Sequence, residues 1–342
     1  MSRSEAAPPQ SLQRRLVKLA LRVLVSAGVL TLLLVVLPWD QVRTAASRLT
    51  LTLYLTALAG FVAGHTLGAI KWRTLITASL GGGALGARAT GACYGAGLFA
   101  NLFLPTVVGG DVVRATLAAR SLGRPEAVVL GSVADRLIDF ASLGLLITAG
   151  AVVAGVELTG RALPVAGVLG FLVLAGATFT VPWVLRPLLA HLPGRVRRRA
   201  RRMLVALRHI SRRPAPALAA IALSLTMQAL FIVISARLGS AVGAHAPLWA
   251  WFVAWPLAKV VAMLPVSLGG LGVRDAALAA LLVPFGVPAA FGAVASLAWN
   301  AVVIGGALLG GLLGWVLRPD LGRAGSRPDG PGSDPVEVTI AN

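Results

Sequence analysis

The chain reads LPTVVGGDVVR from Leu104 to Arg114 and LPVSLGGLGVR from Leu264 to Arg274. Both fit L-P-x-x-x-G-G-x-x-x-R without a gap, and an internal repeat sets the architecture before any local feature does. Pro105 and Pro265 each remove a backbone donor and clash with the preceding turn, so they act as hinges. The pairs Gly109–Gly110 and Gly269–Gly270 permit a reversal and a close approach of other groups. Each copy therefore breaks one helix and starts another, which gathers free N–H groups and the positive end of a helix dipole at the break. Arg114 and Arg274 lie about one turn into the new helices, near enough to reinforce that positive end.

The sequence around the breaks is suited to lipid. It is 57% hydrophobic and only 13% charged, about half the charge of a water-soluble domain, with a mean hydropathy of +0.84. Its apolar residues come in long blocks, several beyond the roughly 18 residues that mark a spanning segment. Unpaired backbone groups are not tolerated in hydrocarbon, so these blocks are helices. The expected fold class is all-α integral membrane.

A formal net charge of +19 suggests a nucleic-acid partner until its location is considered. Ten arginines and no acid fall between Arg186 and Arg213, bounded by apolar blocks. A basic loop there orients the chain with that side in the cytoplasm and contacts anionic lipid. No nucleic-acid partner is expected. The single Cys93 and the scattered His65, His191, His209 and His245 offer no metal-ligand spacing, and there is no Walker-type loop. No metal and no cofactor are expected.

Residues 1–13 are polar and expected to be disordered, 14–317 form the membrane domain with an Arg-rich cytoplasmic loop at 186–215, and the polar tail 318–342 is again expected to be disordered. A first span is expected over Val23–Leu37 and a second over Leu51–Ile70, closed by Lys71, Trp72 and Arg73 at the membrane surface. Further apolar helices are expected near Ala89–Leu104, Glu126–Val156, Leu163–Leu185, Ala217–Arg237, Trp249–Leu264, Ala276–Val283 and Pro288–Leu317. Gly60, Gly64 and Gly68, like Gly306, Gly310 and Gly314, repeat every four residues, the spacing that lets helices pack closely in lipid.

Following the basic residues from loop to loop gives about six full spans plus two oppositely oriented re-entrant helical hairpins, eight hydrophobic helical units in an inverted-repeat-like arrangement, with both termini in the cytoplasm of an inner cell membrane. The competing reading is two ordinary kinked spans. Charges near the breaks are costly in lipid and usually functional. They comprise Asp111 and Arg114 at the first, and Lys259, Arg274 and Asp275 at the second. In ADRLID, Asp135 and Asp139 lie one turn apart with Arg136 beside them. Arg114 and Arg274, with the four paired glycines and Asn101, are the candidate binding residues for a phosphate or carboxylate. Asp111, Asp135, Arg136, Asp139 and Asp275 would balance charge or carry a proton. Alternatively, the same charges are internal ion pairs that clamp the hairpins.

The strings GLFANLFLPTVVGGDVVRA, SVADRLIDF and LPVSLGGLGVRDAAL resemble the lysylphosphatidylglycerol synthase transmembrane, or flippase-like, family, over about Leu16 to Leu317. That family includes the membrane half of the multiple peptide resistance factor. The resemblance implies a lipid-handling membrane domain that moves a phosphate-bearing headgroup between leaflets. Anionic lipids are the implied partner, and a separately encoded lipid-modifying enzyme a further one. The soluble aminoacyl-transfer domain of full-length synthases is not expected in the short polar stretch after Leu317, nor is aminoacyl transfer by this chain alone. The alternative function is an integral-membrane enzyme or accessory subunit in lipid-linked sugar or phospholipid modification. No nucleophile–base pair supports it.

Overall fold

The computed structural model describes residue 31 and residues 38–104, 109–153, 194–211, 214–262 and 272–317. Ten α-helices and no strand occur among these residues. They are α1 (Trp39–Ala46), α2 (Leu51–Leu80), α3 (Ala87–Phe103), α4 (Gly109–Leu122), α5 (Pro125–Val153), α6 (Gly194–Ser211), α7 (Pro214–Val242), α8 (Leu248–Val261), α9 (Val273–Leu282) and α10 (Ala289–Val316). The expected segments Val23–Leu37 and Leu163–Leu185, the two termini, Pro105, Pro265, Gly269 and Gly270 lie outside the described residues.

Among the described residues, four helices are long and apolar enough to cross a membrane: α2, α5, α7 and α10, of 28 to 30 residues. At about 1.5 Å per residue each exceeds the roughly 30 Å hydrocarbon core. The chain is a multi-pass membrane protein. Helices α3, α4, α8 and α9 have 17, 14, 14 and 10 residues and are individually shorter than that core. The order long, short, short, long thus occurs twice, in α2–α5 and in α7–α10.

Within each set the short helices form an antiparallel pair. Gly97 of α3 meets Gly110 and Arg114 of α4, and the Trp249 ring of α8 meets Phe285, just past α9, edge to face at 5.2 Å. The first long helices of the two sets run antiparallel, with Gly60 under Ile234, Gly64 under Phe231 and Gly68 under Met227. Each short pair leans on the last long helix of the opposite set. Gly95 of α3 packs on Gly310 and Gly314 of α10, while Gly150 of α5 packs on Trp249, Phe252 and Val253 of α8. The four-residue glycine spacing is thereby used for close helix approach.

Two boundaries differ from the sequence expectation. The second span does not end at Lys71–Arg73: α2 continues to Leu80 and stops at Gly81, in the left-handed conformation at φ 71°. No breaker precedes that glycine, and the lysine is accommodated by partners on α5. The arginine-rich stretch read as a loop contains the 18-residue helix α6. Its alternation of arginines with Val196, Ala200, Met203, Leu207 and Ile210 has helical spacing, a pattern masked by the density of charge.

A methyl group at Gly314 would meet the Ala96 amide nitrogen at 3.0 Å, and one at Gly95 would press on the Gly310 carbonyl. Backbone cannot yield as a side chain can. Gly95→Ala is expected to destabilise the protein by about 1–3 kcal/mol, read as a lowered melting temperature in detergent. Gly82→Ala, with nothing within 4 Å of the added methyl and no positive φ, is expected to leave it unchanged.

Candidate functional site

Three helices of the first set bring together the charges at its break. Lys71 of α2, 1% exposed, pairs with Asp135 at 3.1 Å and more closely with Asp139, both on α5. Arg114 of α4 reaches Asp135 at 2.7 Å and Asp111 at 3.0 Å. Its guanidinium lies 5.0 Å from the ring centres of both Trp72 and Tyr94. Arg136 pairs closely with Asp111 and sits 3.7 Å from Asp139. Three cations therefore face three carboxylates, and this part of the site is formally neutral. Five of these six charges are buried and Arg136 is part-buried; burying charge is unfavourable unless each is paired, and the alternation of sign supplies that pairing.

Polar side chains from the second set extend the network. Ser224 of α7 donates to Asp139 at 2.6 Å, and Gln228 donates to the Asp139 carbonyl at 2.9 Å. Gln228 in turn accepts from Lys259 Nζ of α8 at 3.2 Å, and that ammonium lies 5.2 Å from the Trp255 ring centre. A continuous polar chain thus runs from Asp111 beside the first break, through Arg136 and Asp139, to Lys259 beside the second.

The second break is built differently. Asp275 accepts from the Gly272 amide at 3.0 Å, from Ser296, and from the Asn300 side chain at 3.0 and 3.1 Å. Its oxygens are occupied in holding the start of α9. Arg274 donates to the side-chain carbonyl oxygen of Asn300 and is 3.9 Å from Asp275, and its Nε makes no hydrogen bond among the described residues. Among the described residues, Arg274 has one carboxylate near it, Asp275 at 3.9 Å, while Lys259 forms no ion pair and has Asp139 of the first set as the carboxylate that acts on it. Where α5 presents aspartates to the first break, α10 presents Asn300 and Ser296 to the second. Among the described residues, the cations at the first break are closely paired with carboxylates, whereas Arg274 and Lys259 have no carboxylate closer than 3.9 Å in an ion pair.

The remaining sequence candidates fall at the first break. Asn101 accepts from the Gly110 amide at 2.8 Å, which satisfies one of the free N–H groups at the start of α4. Gly109 and Gly110 are buried, and a methyl at Gly97 would stand 2.7 Å from the Gly110 carbonyl oxygen, so α3 and α4 approach backbone to backbone. Sequence reasoning missed Lys71, Ser224, Gln228, Ser296 and Asn300. A lysine followed by nine further residues without a breaker was a usable signal for the first; single polar residues in apolar helices gave a weaker one for the rest.

These features define a polytopic helical membrane protein with an ionic network at its centre. The lysylphosphatidylglycerol synthase TM region matches residues 19–311, most of the chain, and the protein belongs to that family. No curated protein and no solved structure matches the chain. Membership implies a membrane protein of lipid modification or transport.

Replacing Lys71 by Met would leave Asp135 and Asp139 short of a counter-charge in a buried site. We expect a loss of about 3–5 kcal/mol, visible as a drop in thermal stability in detergent micelles. Adding Asp139→Asn to the same chain should return part of it. Equal melting of wild type and the Lys71→Met chain would mean that water solvates these carboxylates.

Proposed function

We propose that the protein moves an anionic, phosphate-bearing lipid headgroup between leaflets of a cytoplasmic membrane, with both termini on the cytoplasmic side. In this reading the α3–α4 and α8–α9 pairs are re-entrant hairpins of opposite orientation in an inverted repeat. Support comes from the repeated long–short–short–long order, the antiparallel α2 and α7, and four helices too short to cross alone. Broken helices in paired halves are the usual surroundings of a transporter's central site.

The unequal neutralisation of the two breaks carries the proposal. Arg274 and Lys259 offer a guanidinium and an ammonium without a closely paired carboxylate, beside the N-terminus of α9. That combination suits a phosphodiester, which a guanidinium can grip through two N–H donors. Arg114, held by Asp111 and Asp135, would set the field and geometry of the site, with the first break as the fixed wall. The chain Asp139–Gln228–Lys259 would report occupancy of the second break to the first, and Asp139 would carry the proton if loading is proton-coupled.

The test is reconstitution into vesicles with fluorescent phosphatidylglycerol in one leaflet. Protein-dependent movement is expected, and Arg274→Gln and Lys259→Gln should each slow it by about tenfold or more, since a charged hydrogen bond contributes roughly 1.5–3 kcal/mol. If no anionic lipid moves faster with protein than without it, the transport reading fails.

A further inference from the structure

Beyond the central site, α6 presents a surface the transport reading does not use. Its exposed side chains include Arg197, Arg198, Arg201, Arg202 and Val205. At about 100° per residue these five positions fall on one arc of roughly 140°. No acid occurs anywhere in the helix. We propose that this arc is a docking face for anionic phospholipid headgroups, laid on the leaflet at which α2 ends and α5 and α7 begin.

Position fixes the partner. His209 of α6 lies against Gly81, the residue that ends α2. Arg202 pairs with Glu126 in the first turn of α5 at 3.3 Å, and buried Ala206 shares a cluster with Ala127 and Val128. Helix α7 begins at Pro214, three residues past Ser211. The helix therefore spans the ends of three membrane-crossing helices, at the depth where hydrocarbon gives way to headgroups. Arginine is weakly hydrated and grips phosphate through paired N–H donors. Each basic residue close to an anionic surface contributes about 1 kcal/mol. Val205, 46% exposed among the arginines, suits the acyl boundary beneath headgroups and would contribute nothing to a nucleic-acid backbone. Because α6 also packs on α2 and α5, which carry Lys71, Asp135 and Asp139, lipid charge would act on the helices that build the ionic network.

The experiment uses the full chain with a nitroxide on Val205→Cys, Cys93 being buried, in nanodiscs of phosphatidylcholine with or without phosphatidylglycerol. The probe should be less accessible to a water-soluble relaxant when phosphatidylglycerol is present. About 1 M salt, which shortens screening to roughly 3 Å, should erase the difference. The triple change R197Q/R198Q/R201Q should abolish it, a loss of up to about a hundredfold in local lipid binding, and R197K/R198K/R201K should keep it. Equal accessibility in the two lipids overturns the proposal, as does a lipid effect that survives high salt. Protection of the probe by a labelled oligonucleotide in phosphatidylcholine discs, with none from phosphatidylglycerol, overturns it in favour of nucleic acid. The lysine and salt arms retain their force should the glutamine chain fail to fold.

Discussion

The structure depends on the attachment of Lys71 to Asp135 and Asp139. An ammonium at 1% exposure in a lipid-embedded bundle persists only with full compensation. Two carboxylates one turn apart on α5 supply it while also engaging Arg114 and Arg136 on their other sides. The consequence is geometric as well as energetic. Helices α2, α4 and α5 cannot slide or rotate past one another without separating unlike charges. Apolar packing in lipid has no comparable power to fix register, because lipid tails are as apolar as leucine. The network thus does for the first set what a hydrophobic core does for a soluble domain.

The second set carries the same helix order with different chemistry at its break. Asp275 is consumed by the Gly272 amide, Ser296 and Asn300, and Arg274 is left with an amide oxygen for its close partner. A tightly ion-paired half thus stands beside one in which, among the described residues, Arg274 and Lys259 lack a close carboxylate. That arrangement also explains the placement of Gln228, a neutral residue with both donor and acceptor groups. It can hydrogen-bond the Asp139 backbone and Lys259 together without adding a charge to either side.

Much of the fold was legible in the sequence, because the signals were local or repeated. The LPxxxGG copies marked both short-helix pairs, and hydropathy located the long helices to within a few residues, apart from the C-terminal end of α2. The glycine triplets foretold close packing but not their partners: Gly64 gave no hint of Phe231, nor Gly95 of Gly310. The charged site was half visible. Asp111, Arg114, Asp135, Arg136 and Asp139 stood out as costly residues in an apolar chain. Lys71 was taken for a surface anchor because a lysine followed by Trp72 and Arg73 has the composition of a membrane boundary. Only the facing carboxylates on α5, more than sixty positions away, reveal it as buried. Helix α6 was hidden by its own charge, since its seven arginines read as topology before they read as periodicity. Ser224, Gln228, Ser296 and Asn300 are unremarkable in one dimension and acquire meaning only from the carboxylates they meet.

The exchange of supports between the two sets bears on how the protein is made. Gly95 of α3 finds its seat against Gly310 of α10, a separation of 310 − 95 = 215 residues. At translation rates of about 5–20 residues per second, that interval lasts on the order of ten seconds or more. During it the nascent α3–α4 pair stands in the bilayer with its glycine seam uncovered. Charge pairing with α2 and α5 is available early, within the first half of the polypeptide, and can hold that pair upright until its distant neighbour emerges. The ionic lock is therefore complete in sequence long before the glycine seam finds its cover.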